Sequence, residues 1–421
     1  MSIFLEWKTT SLGGISTVFR CSYCMSPTEQ ILDLGFLPPV NVMSRIDENI
    51  SLNTSYPLGI SICQSCGLTQ IINEIESALV FPESYPYLSG TTKILVENFS
   101  EQAQEILSFK PLKSNQLVID IGSNDGTLLK NYINTCKVLG VEPTGAANVA
   151  IQNKIPTIHK FFNKSTAAEI LQVYGKASII TACNVFAHIP DLKNLMHSID
   201  SILEEDGIFI SESHYLVDLL QSLQFDTIYH EHLRYYNVNF LNKLFSDFGY
   251  EIIMVKKIPT HGGSIRVWAS RIGKNKIDLN VEHFLASEKN SNFFGLEAHY
   301  EFTKKVSKWR HQFRKLIAEI RVNHKSIYAI GAPSRASTLL SFSGLEVNDL
   351  FAVGEFSGSH KIGRYMPGTK IPVISEDDVL SKKPDYLLML SWHIADELIP
   401  KIKNKGFEGQ FIIPLPDIKL L

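Results

Sequence analysis

An apolar strand that runs directly into a glycine-containing turn constrains the fold of this chain most strongly. Residues 117–121 read Leu-Val-Ile-Asp-Ile, and a turn of small residues extends from Gly122 to Gly126 before a Thr-Leu-Leu run. This order is typical of a strand, a tight turn and a helix. The glycines let the backbone pass close to a ligand, and the start of the helix would offer unpaired N–H groups. The segment therefore predicts an α/β domain that binds a ligand at the end of this strand.

Further strands follow in the same central segment. Apolar runs at 138–142, 178–183 and 208–212 are separated by helical segments, and runs at 250–255 and 264–269 come next. Strands that alternate with helices predict a parallel, doubly wound sheet. Ligands of such sheets bind beyond the carboxyl ends of the strands.

Two of these strands end in polar side chains. Glu142 ends the second strand about 20 residues after the first, where a carboxylate can accept hydrogen bonds from both hydroxyls of a ribose. Asn184 begins the polar loop that follows the third strand. We expect both to face the ligand.

Four of the six cysteines form two Cys-x-x-Cys pairs, Cys21 with Cys24 and Cys63 with Cys66. In this spacing two thiolates take neighbouring corners of a tetrahedron around zinc, and two pairs close the shell. A closed shell leaves no position for water or substrate, so we expect a structural zinc. The 38 residues between the pairs exceed the commonest zinc-ribbon insert. The alternative is four reduced, buried cysteines without a metal.

A second strand, turn and helix are predicted at 326–340. The turn and the helix start supply backbone N–H groups, hydroxyls and a guanidinium suited to a diphosphate, from Gly331, Ala332, Ser334, Arg335, Ser337 and Thr338. Glu355 ends the next strand, Arg364 lies in a basic turn, and the Trp392 ring could stack on a base. The alternative is a structural α/β domain without a ligand. Before it, residues 293–323 read as one long amphipathic helix.

Length and charge bound the organisation of the chain. A length of 421 residues predicts three domains, which we place at 1–75, 76–285 and 286–421. The net charge of −3 disfavours nucleic acid as a partner. The sequence contains no apolar run long enough to cross a membrane and no signal-peptide pattern at its start, so we expect a cytoplasmic protein without a membrane partner. Monomer and homodimer both remain open.

The segment 225–236 concentrates groups that transfer protons. Tyr229, His230, Glu231 and His232 are consecutive, and Arg234 follows. A phenol, two imidazoles and a carboxylate can move protons and polarise oxygens. The alternative is a polar loop whose residues satisfy one another. Because the segment follows the fourth strand, we expect it above the ligand-binding edge of the sheet.

These features together resemble the sugar C-methyltransferases that act on nucleotide-linked 4-keto-deoxyhexoses. The resemblance covers essentially the whole chain, including the paired cysteines, Tyr-Pro-Tyr at 85–87, Tyr-His-Glu-His at 229–232, His-Gly-Gly-Ser at 261–264, Gly-Ala-Pro at 331–333 and Pro-Gly-Thr at 367–369. It implies an α/β chain whose class I methyltransferase Rossmann-like sheet follows a small four-cysteine zinc-binding domain and precedes a second Rossmann-like α/β domain.

The resemblance also implies ligands and roles. S-adenosylmethionine is the expected cofactor, bound by Tyr85, Tyr87, Asp120, Gly122, Asn124, Gly126, Glu142 and Asn184, with Asp120 beside its methionine part. The substrate is a nucleotide-linked keto-deoxysugar, contacted by Arg234, Gly331, Ala332, Ser334, Arg335, Thr338, Glu355, Arg364 and Trp392.

The expected chemistry is carbon methylation through an enolate. His232 would remove the proton from C3, Glu231 would orient the imidazoles, and Tyr229, with His230 or Asn184, would donate to the developing oxyanion. The alternative for His230 is a satisfied loop histidine, and we expect His188 and His261 to be structural or to line the site.

The sequence departs from the family pattern at two places on the nucleotide side. In 331–336, Arg335 replaces the usual lysine and Ala336 the usual glycine, and 355–360 is also unusual. Both departures concern which nucleotide is bound, TDP or GDP. The remaining alternatives are an O- or N-methyltransferase on a sugar or small molecule and a sugar-nucleotide binding protein without catalysis.

Overall fold

The computed structural model describes residues 7–9, 15–17, 19–47, 54–83, 85, 87–291 and 293–421. Pro86 of the Tyr-Pro-Tyr segment and the first six residues lie outside these ranges. No helix of the described ranges is long and apolar enough to cross a membrane.

The N-terminal segment is built from short antiparallel strands. β1 (Trp7–Thr9) pairs with β2 (Ile15–Thr17), and a second sheet contains β3 (Glu29–Leu37), β4 (Tyr56–Ile62) and β5 (Thr69–Ile71). This sheet gains a fourth strand from the central segment, because Arg234–Tyr235 pairs antiparallel with β5. The segment with the consecutive proton-transfer groups is thereby attached to the cysteine-containing sheet.

The central segment forms a seven-stranded sheet in the order β12-β13-β10-β9-β6-β7-β8. Its strands are β6 (Leu117–Ile121), β7 (Lys137–Val141), β8 (Thr157–Ile158), β9 (Ala177–Cys183), β10 (Leu203–His214), β12 (Tyr250–Ile258) and β13 (Ser264–Arg271), while β11 is Arg234–Tyr235. Only β13 runs antiparallel to its neighbours. The strands β6 and β9 are buried along their whole length, as their apolar sequences predict.

Helices cover this sheet and precede it. They are α1 (Ser77–Val80), α2 (Lys93–Phe109), α3 (Ala146–Gln152), α4 (Lys164–Val173), α5 (Leu192–Ile202), α6 (Leu216–Gln221), α7 (Val238–Asp247) and α8 (Leu279–Asn290). Asn163, Asp191 and Asn237 cap α4, α5 and α7 by accepting hydrogen bonds from backbone N–H groups of the first turn. The helix α8 contains position 286, at which we placed the start of the third domain.

The helix expected directly after β6 is absent from this described segment, and that prediction is wrong. Only a 3₁₀ turn, Leu129–Asn131, lies between β6 and β7. Asn124 and Gly126 have φ values of 51° and 77°, and a left-handed residue ends an α-helical run. The Asp125 carboxylate further holds the turn by accepting from the Thr127 N–H and hydroxyl.

The C-terminal segment forms a second α/β sheet in the order β16-β15-β14-β17-β18-β19. Its elements are α9 (Gly295–Val322), β14 (Ile327–Ile330), α10 (Ser334–Ser343), β15 (Val353–Glu355), β16 (Val373–Ser375), α11 (Glu376–Ser381), β17 (Tyr386–Met389), α12 (Ala395–Asn404), β18 (Gln410–Ile413) and β19 (Lys419–Leu420). All its strands except β19 are parallel. Two Rossmann-like sheets after a small four-cysteine segment confirm the predicted fold class.

The long helix α9 contacts both the N-terminal and the C-terminal segments. Its buried face includes Phe302, Trp309 and Phe313. Thr303 donates to the Ile31 carbonyl at 2.9 Å, and Trp309 Nε1 donates to the Pro414 carbonyl at 2.6 Å. The helix therefore holds the N-terminal sheet and the C-terminal segment together.

Candidate active site

A cleft of about 1230 Å³ lies where the three segments meet. The N-terminal segment contributes Asn41, the central segment contributes residues such as Glu142 and His232, and the C-terminal segment contributes residues such as Ala332. The volume exceeds the ~300–1000 Å³ of common small-molecule sites. It is large enough for two ligands side by side.

His232 lines the cleft with its ring held in one orientation. Its Nδ1 lies 2.8 Å from the Thr227 carbonyl oxygen. Because a carbonyl only accepts hydrogen bonds, Nδ1 carries the proton and the neutral ring presents the lone pair of Nε2. Burial holds the pKa of His232 well below its ordinary value, and the nearby His188 adds to this effect. His232 is therefore an unprotonated base at neutral pH.

Other rings surround His232. The His188 ring stacks on it at 5.2 Å between centroids, and the His214 ring lies at 4.6 Å. Burial lowers the pKa of His188 to about 4 and the pKa of His214 well below its ordinary value. These neighbours exclude water without adding positive charge, which is consistent with the expectation that His188 lines the site.

Tyr229 lies against the base. Its ring centroid is 4.0 Å from that of His232, and it lines the cleft. Burial, with a smaller contribution from the Glu231 carboxylate, raises the pKa of Tyr229 well above its ordinary value. Within the described residues its hydroxyl has no hydrogen-bond partner. Tyr229 therefore keeps its proton and has it free to donate to a ligand.

Glu231 lines the cleft. It was expected to orient the imidazoles, but its hydrogen-bond partners are other side chains. Tyr85 donates to its Oε2 at 2.9 Å, and Asn41 donates to its Oε1 at 2.6 Å. Ser334 donates to Asn41 Oδ1 at 2.8 Å. Burial raises the pKa of Glu231 to about 7. This chain of hydrogen bonds links all three segments of the protein.

His230 points away from the cleft, which does not fit its expected role as a donor. Its Nε2 lies 3.3 Å from the Pro57 carbonyl, and its ring packs edge-on against Tyr56. The alternative of a loop histidine fits this position better, although the buried Nδ1 has no hydrogen-bond partner among the described residues. The side chains of His230 and His232 point in different directions because the chain turns here. The His232 N–H donates to the Tyr229 carbonyl at 3.0 Å in this turn.

The predicted cofactor residues gather at the carboxyl ends of β6 and β7. Asn124 donates its backbone N–H to Glu142 Oε2 at 2.9 Å and its side-chain amide to the Tyr87 carbonyl at 3.0 Å. Gly122 lines the cleft with φ 70°, and a Cβ there would come within 2.3 Å of Val185. Tyr85 and Tyr87 also line the cleft. The positive φ and the contact with Val185 therefore explain the glycine at position 122, and its predicted approach to a ligand stays a prediction.

Asp120 and Gly126 are not among the cleft-lining residues. Asp120 accepts a hydrogen bond from Thr181 at 2.6 Å inside the sheet, and burial raises its pKa to about 7. A Cβ on Gly126 would come within 2.9 Å of Ile155, so this glycine serves packing. The expectation that either touches a ligand is not supported by these positions.

Asn184 provides a test of whether the cleft fits S-adenosylmethionine. Its φ is 57°, its side chain lines the cleft, and Oδ1 is buried without a hydrogen-bond partner in the described residues. A buried acceptor left unpaired is costly unless a ligand donates to it. The α-ammonium group of S-adenosylmethionine is such a donor, and the Glu142 carboxylate suits its ribose. The residues present therefore fit this cofactor.

Several predicted substrate contacts are structural instead. Arg335 donates from Nε and Nη2 to the Asp226 carboxylate, both at 2.8 Å, and Trp392 Nε1 donates to the same carboxylate. Thr338 donates to the Ile228 carbonyl at 3.2 Å, away from the cleft. Arg335 lines the cleft, but its charge is already paired.

Three more predicted contacts also lie outside the cleft. Arg234 donates to the carbonyls of Ile189 and Pro190, which fastens the loop after β9 to the cysteine segment. Arg364 donates to the Met43 carbonyl at 2.9 Å. Gly331 has φ 87°, and a Cβ there would come within 2.3 Å of Ser391 Oγ. By contrast, Ala332, Ser334 and Glu355 do line the cleft.

Sequence reasoning missed many cleft residues, and Asn41, His214, Lys361 and His393 are polar examples. Asn41 follows two prolines in a loop, and nothing local to it indicates a contact with Glu231, 190 residues further along the chain. His214 ends β10, and its place at a strand end was the available signal.

The four paired cysteines lie outside the cleft in one cluster. The sulfurs of Cys24 and Cys63 are 3.4 Å apart and those of Cys21 and Cys66 are 3.6 Å apart, with all four within 4.8 Å of one another. A tetrahedral zinc with Zn–S bonds of about 2.3 Å separates its sulfurs by about 3.8 Å. The cluster therefore fits zinc.

Comparisons with known proteins agree with this geometry. A family model described as a methyltransferase domain matches residues 96–255, and one described as a C-methyltransferase C-terminal domain matches residues 259–416. The C-methyltransferase NovU of Streptomyces niveus is 29% identical over 397 residues, covering 93% of this chain and 94% of that relative.

Solved structures are similar over a smaller part of the chain. The magnesium protoporphyrin IX methyltransferase of Synechocystis PCC 6803 with bound SAH is 16% identical, with a TM-score of 0.33, over 42% of this chain and 84% of its own. An S-adenosylmethionine-dependent methyltransferase of Clostridium acetobutylicum ATCC 824 is 17% identical, with a TM-score of 0.34, over 42% of this chain and 92% of its own.

Proposed function

We propose that this chain, which belongs to the S-adenosylmethionine-dependent C-methyltransferases, methylates C3 of a TDP- or GDP-linked 4-keto-6-deoxyhexose. The observation that carries the proposal is the pairing of His232 with Tyr229. A desolvated base with a free Nε2 lies beside a phenol that keeps its proton. Methyl transfer to a hydroxyl has less need of this combination than methyl transfer to carbon does.

The chemistry of a carbon acceptor explains both groups. A carbon beside a ketone becomes nucleophilic only after it loses a proton, and the resulting enolate places negative charge on the ketone oxygen. His232 Nε2 would accept the C3 proton, and the Tyr229 hydroxyl would donate a hydrogen bond to that oxygen. Asn184 remains a second candidate donor through its amide.

S-adenosylmethionine supplies the electrophilic methyl group when it is bound. The residues that would hold it are Tyr85, Tyr87, Gly122, Asn124, Glu142 and Asn184. On the sugar side, Ala332, Ser334 and Glu355 would line the substrate. The first set lies beside the central sheet and the second beside the C-terminal sheet, which would place donor and acceptor on either side of His232 and leave its imidazole in contact with the acceptor carbon.

We further propose that Cys21, Cys24, Cys63 and Cys66 bind a structural zinc ion. Backbone N–H groups of Tyr23 and Cys24 donate to Cys21 Sγ at 3.4 Å and 3.5 Å, an arrangement that stabilises thiolate charge. Four protein ligands leave no open position for a substrate, so the metal would act on the fold and not on the reaction.

A hydrogen-exchange experiment tests the carbon acceptor directly. The protein is incubated with TDP- and GDP-4-keto-6-deoxyglucose in deuterated water without S-adenosylmethionine, and deuterium at C3 is measured by NMR. We expect exchange at C3 and, after S-adenosylmethionine is added, a new methyl group on that carbon. Methylation at oxygen or nitrogen without C3 exchange would refute the proposal. Ligand binding without consumption of S-adenosylmethionine would refute it as well.

A further inference from the structure

Lys361 lies in the loop after β15, at the part of the cleft formed by the C-terminal sheet. Its half-buried side chain lines the cleft, and Nζ donates to the Ala332 carbonyl at 2.6 Å. Ala332 belongs to the turn between β14 and α10. The hydrogen bond therefore holds the ammonium group beside the place where a Rossmann-like sheet receives phosphate.

Among the residues that the structure describes, Lys361 has no ion-pair partner. Of the described residues, Lys164, Arg335 and Lys361 are the lysines and arginines that line the cleft. The Asp226 carboxylate already pairs with Arg335, and Lys164 is exposed at the start of α4 in the central segment. Among the described residues that line the cleft from the C-terminal segment, Lys361 is thus the cation without an ion-pair partner.

The carboxylate of Glu355, which lies near Lys361, already accepts hydrogen bonds from the backbone. Glu355 accepts the Ala332 N–H at 2.8 Å on Oε2 and the Phe356 N–H at 3.2 Å on Oε1. Within the described ranges no ion pair joins Glu355 to Lys361. An ammonium group has three N–H donors, and the Ala332 carbonyl uses one of them. Burial lowers the pKa of Lys361, and the Glu355 carboxylate opposes this shift only in part.

We propose that Lys361 binds the diphosphate of the substrate and sets the preference for a nucleoside diphosphate over a nucleoside. This inference rests on the nucleotide-linked substrate of the proposed function. Glu355 ends the second strand of its sheet, the position whose carboxylate faces a ribose in this type of fold. Lys361 and Glu355 flank Ala332, so the ammonium lies where the phosphates next to that ribose would lie. The Ser334 hydroxyl and the Arg335 guanidinium are unsuited to this task because Asn41 and Asp226 engage them.

The test compares nucleotide binding by matched variants. Isothermal titration calorimetry measures TDP, GDP, thymidine and guanosine against wild type, Lys361→Met, Lys361→Arg and Lys382→Met. Lys382 is an exposed lysine at the end of α11, so its variant matches the charge change. S-adenosylhomocysteine binding checks that the fold of each variant is intact.

We expect Lys361→Met to weaken binding of the preferred diphosphate about 10- to 100-fold, toward the affinity of its nucleoside. Lys361→Arg and Lys382→Met should stay within about 3-fold of wild type. Unchanged diphosphate affinity in Lys361→Met would overturn the role of Lys361 and leave the proposed function standing. Wild-type protein that binds S-adenosylhomocysteine but neither diphosphate would instead refute the nucleotide-linked substrate, and the role of Lys361 with it.

Discussion

Arg335 and Asp226 form a two-point ion pair between helix α10 of the C-terminal segment and the segment that carries His232. Both side chains are buried, and the guanidinium also lies 4.7 Å from the Trp392 ring centroid. Asp226 directly precedes Thr227, whose carbonyl orients His232. The pair therefore joins the C-terminal side of the cleft to the position of the His232 imidazole.

Removal of one partner of this pair should destabilise the protein and displace the base. Asp226→Asn leaves the Arg335 charge buried and unpaired, and we expect the free energy of unfolding to fall by about 3 kcal/mol. Urea unfolding measures this change, and kcat should fall with it. Asp47→Asn, which removes an exposed pair with Arg45, should change stability little. Equal effects of the two variants would contradict the role of the buried pair.

The same pair shows what sequence reasoning could and could not predict. The positions of the strands along the chain were predictable because buried strands such as β6 carry continuous apolar runs. The cluster of four cysteines was predictable because the spacing within each pair is local. Arg335 was expected to bind phosphate because its local turn suggests it. Its actual partner is 109 residues away, and no local pattern encodes a contact at that distance. The link from Tyr85 to Glu231 was missed for the same reason. The helix after β6 was wrongly predicted because left-handed backbone at Asn124 leaves little trace in sequence.

His230 and His232 should differ sharply in their effect on catalysis. We expect His232→Gln to reduce C3 exchange and methyl transfer by about 10²- to 10⁴-fold, because it removes the base. His230→Gln is the matched control, since that ring contacts Pro57 and Tyr56 outside the cleft. Its kcat should stay within a few-fold of wild type. Steady-state kinetics on both variants decide the assignment, and a larger loss in His230→Gln would reverse it.

Tyr229→Phe should impair catalysis without impairing substrate binding. The variant keeps the ring contact with His232 and removes only the hydroxyl, whose proposed partner gains negative charge during the reaction. We expect kcat to fall about 10²- to 10³-fold and KM to change little. Steady-state kinetics measures both constants. A rise in KM at constant kcat would show instead that the hydroxyl binds the ground state.

Glu231 should make stability depend on pH. Its pKa rises from the ordinary 4.5 to about 7 on folding. Between these values the folded protein binds a proton that the unfolded chain has lost, so the contribution of Glu231 to stability is full below about 4.5 and is lost as pH rises through about 7. We expect Glu231→Gln to flatten the fall in unfolding free energy over this range, measured by urea unfolding. Glu101→Gln, on the exposed side of α2, should leave the slope unchanged.

Zinc removal should impair methyl transfer, because the cysteine segment and the segment that carries His232 share one sheet. Arg234–Tyr235 pairs with β5, which follows the second cysteine pair, and these residues come two positions after His232. We expect about one zinc per chain by mass spectrometry of metals, and Cys63→Ser to lower both zinc content and thermal stability. Methyl transfer should fall in parallel, although no cysteine of the cluster lines the cleft. Cys136→Ser, at a buried cysteine outside the cluster, is the control and should retain zinc. Full activity in a zinc-free Cys63→Ser protein would show that the metal does not control the position of His232.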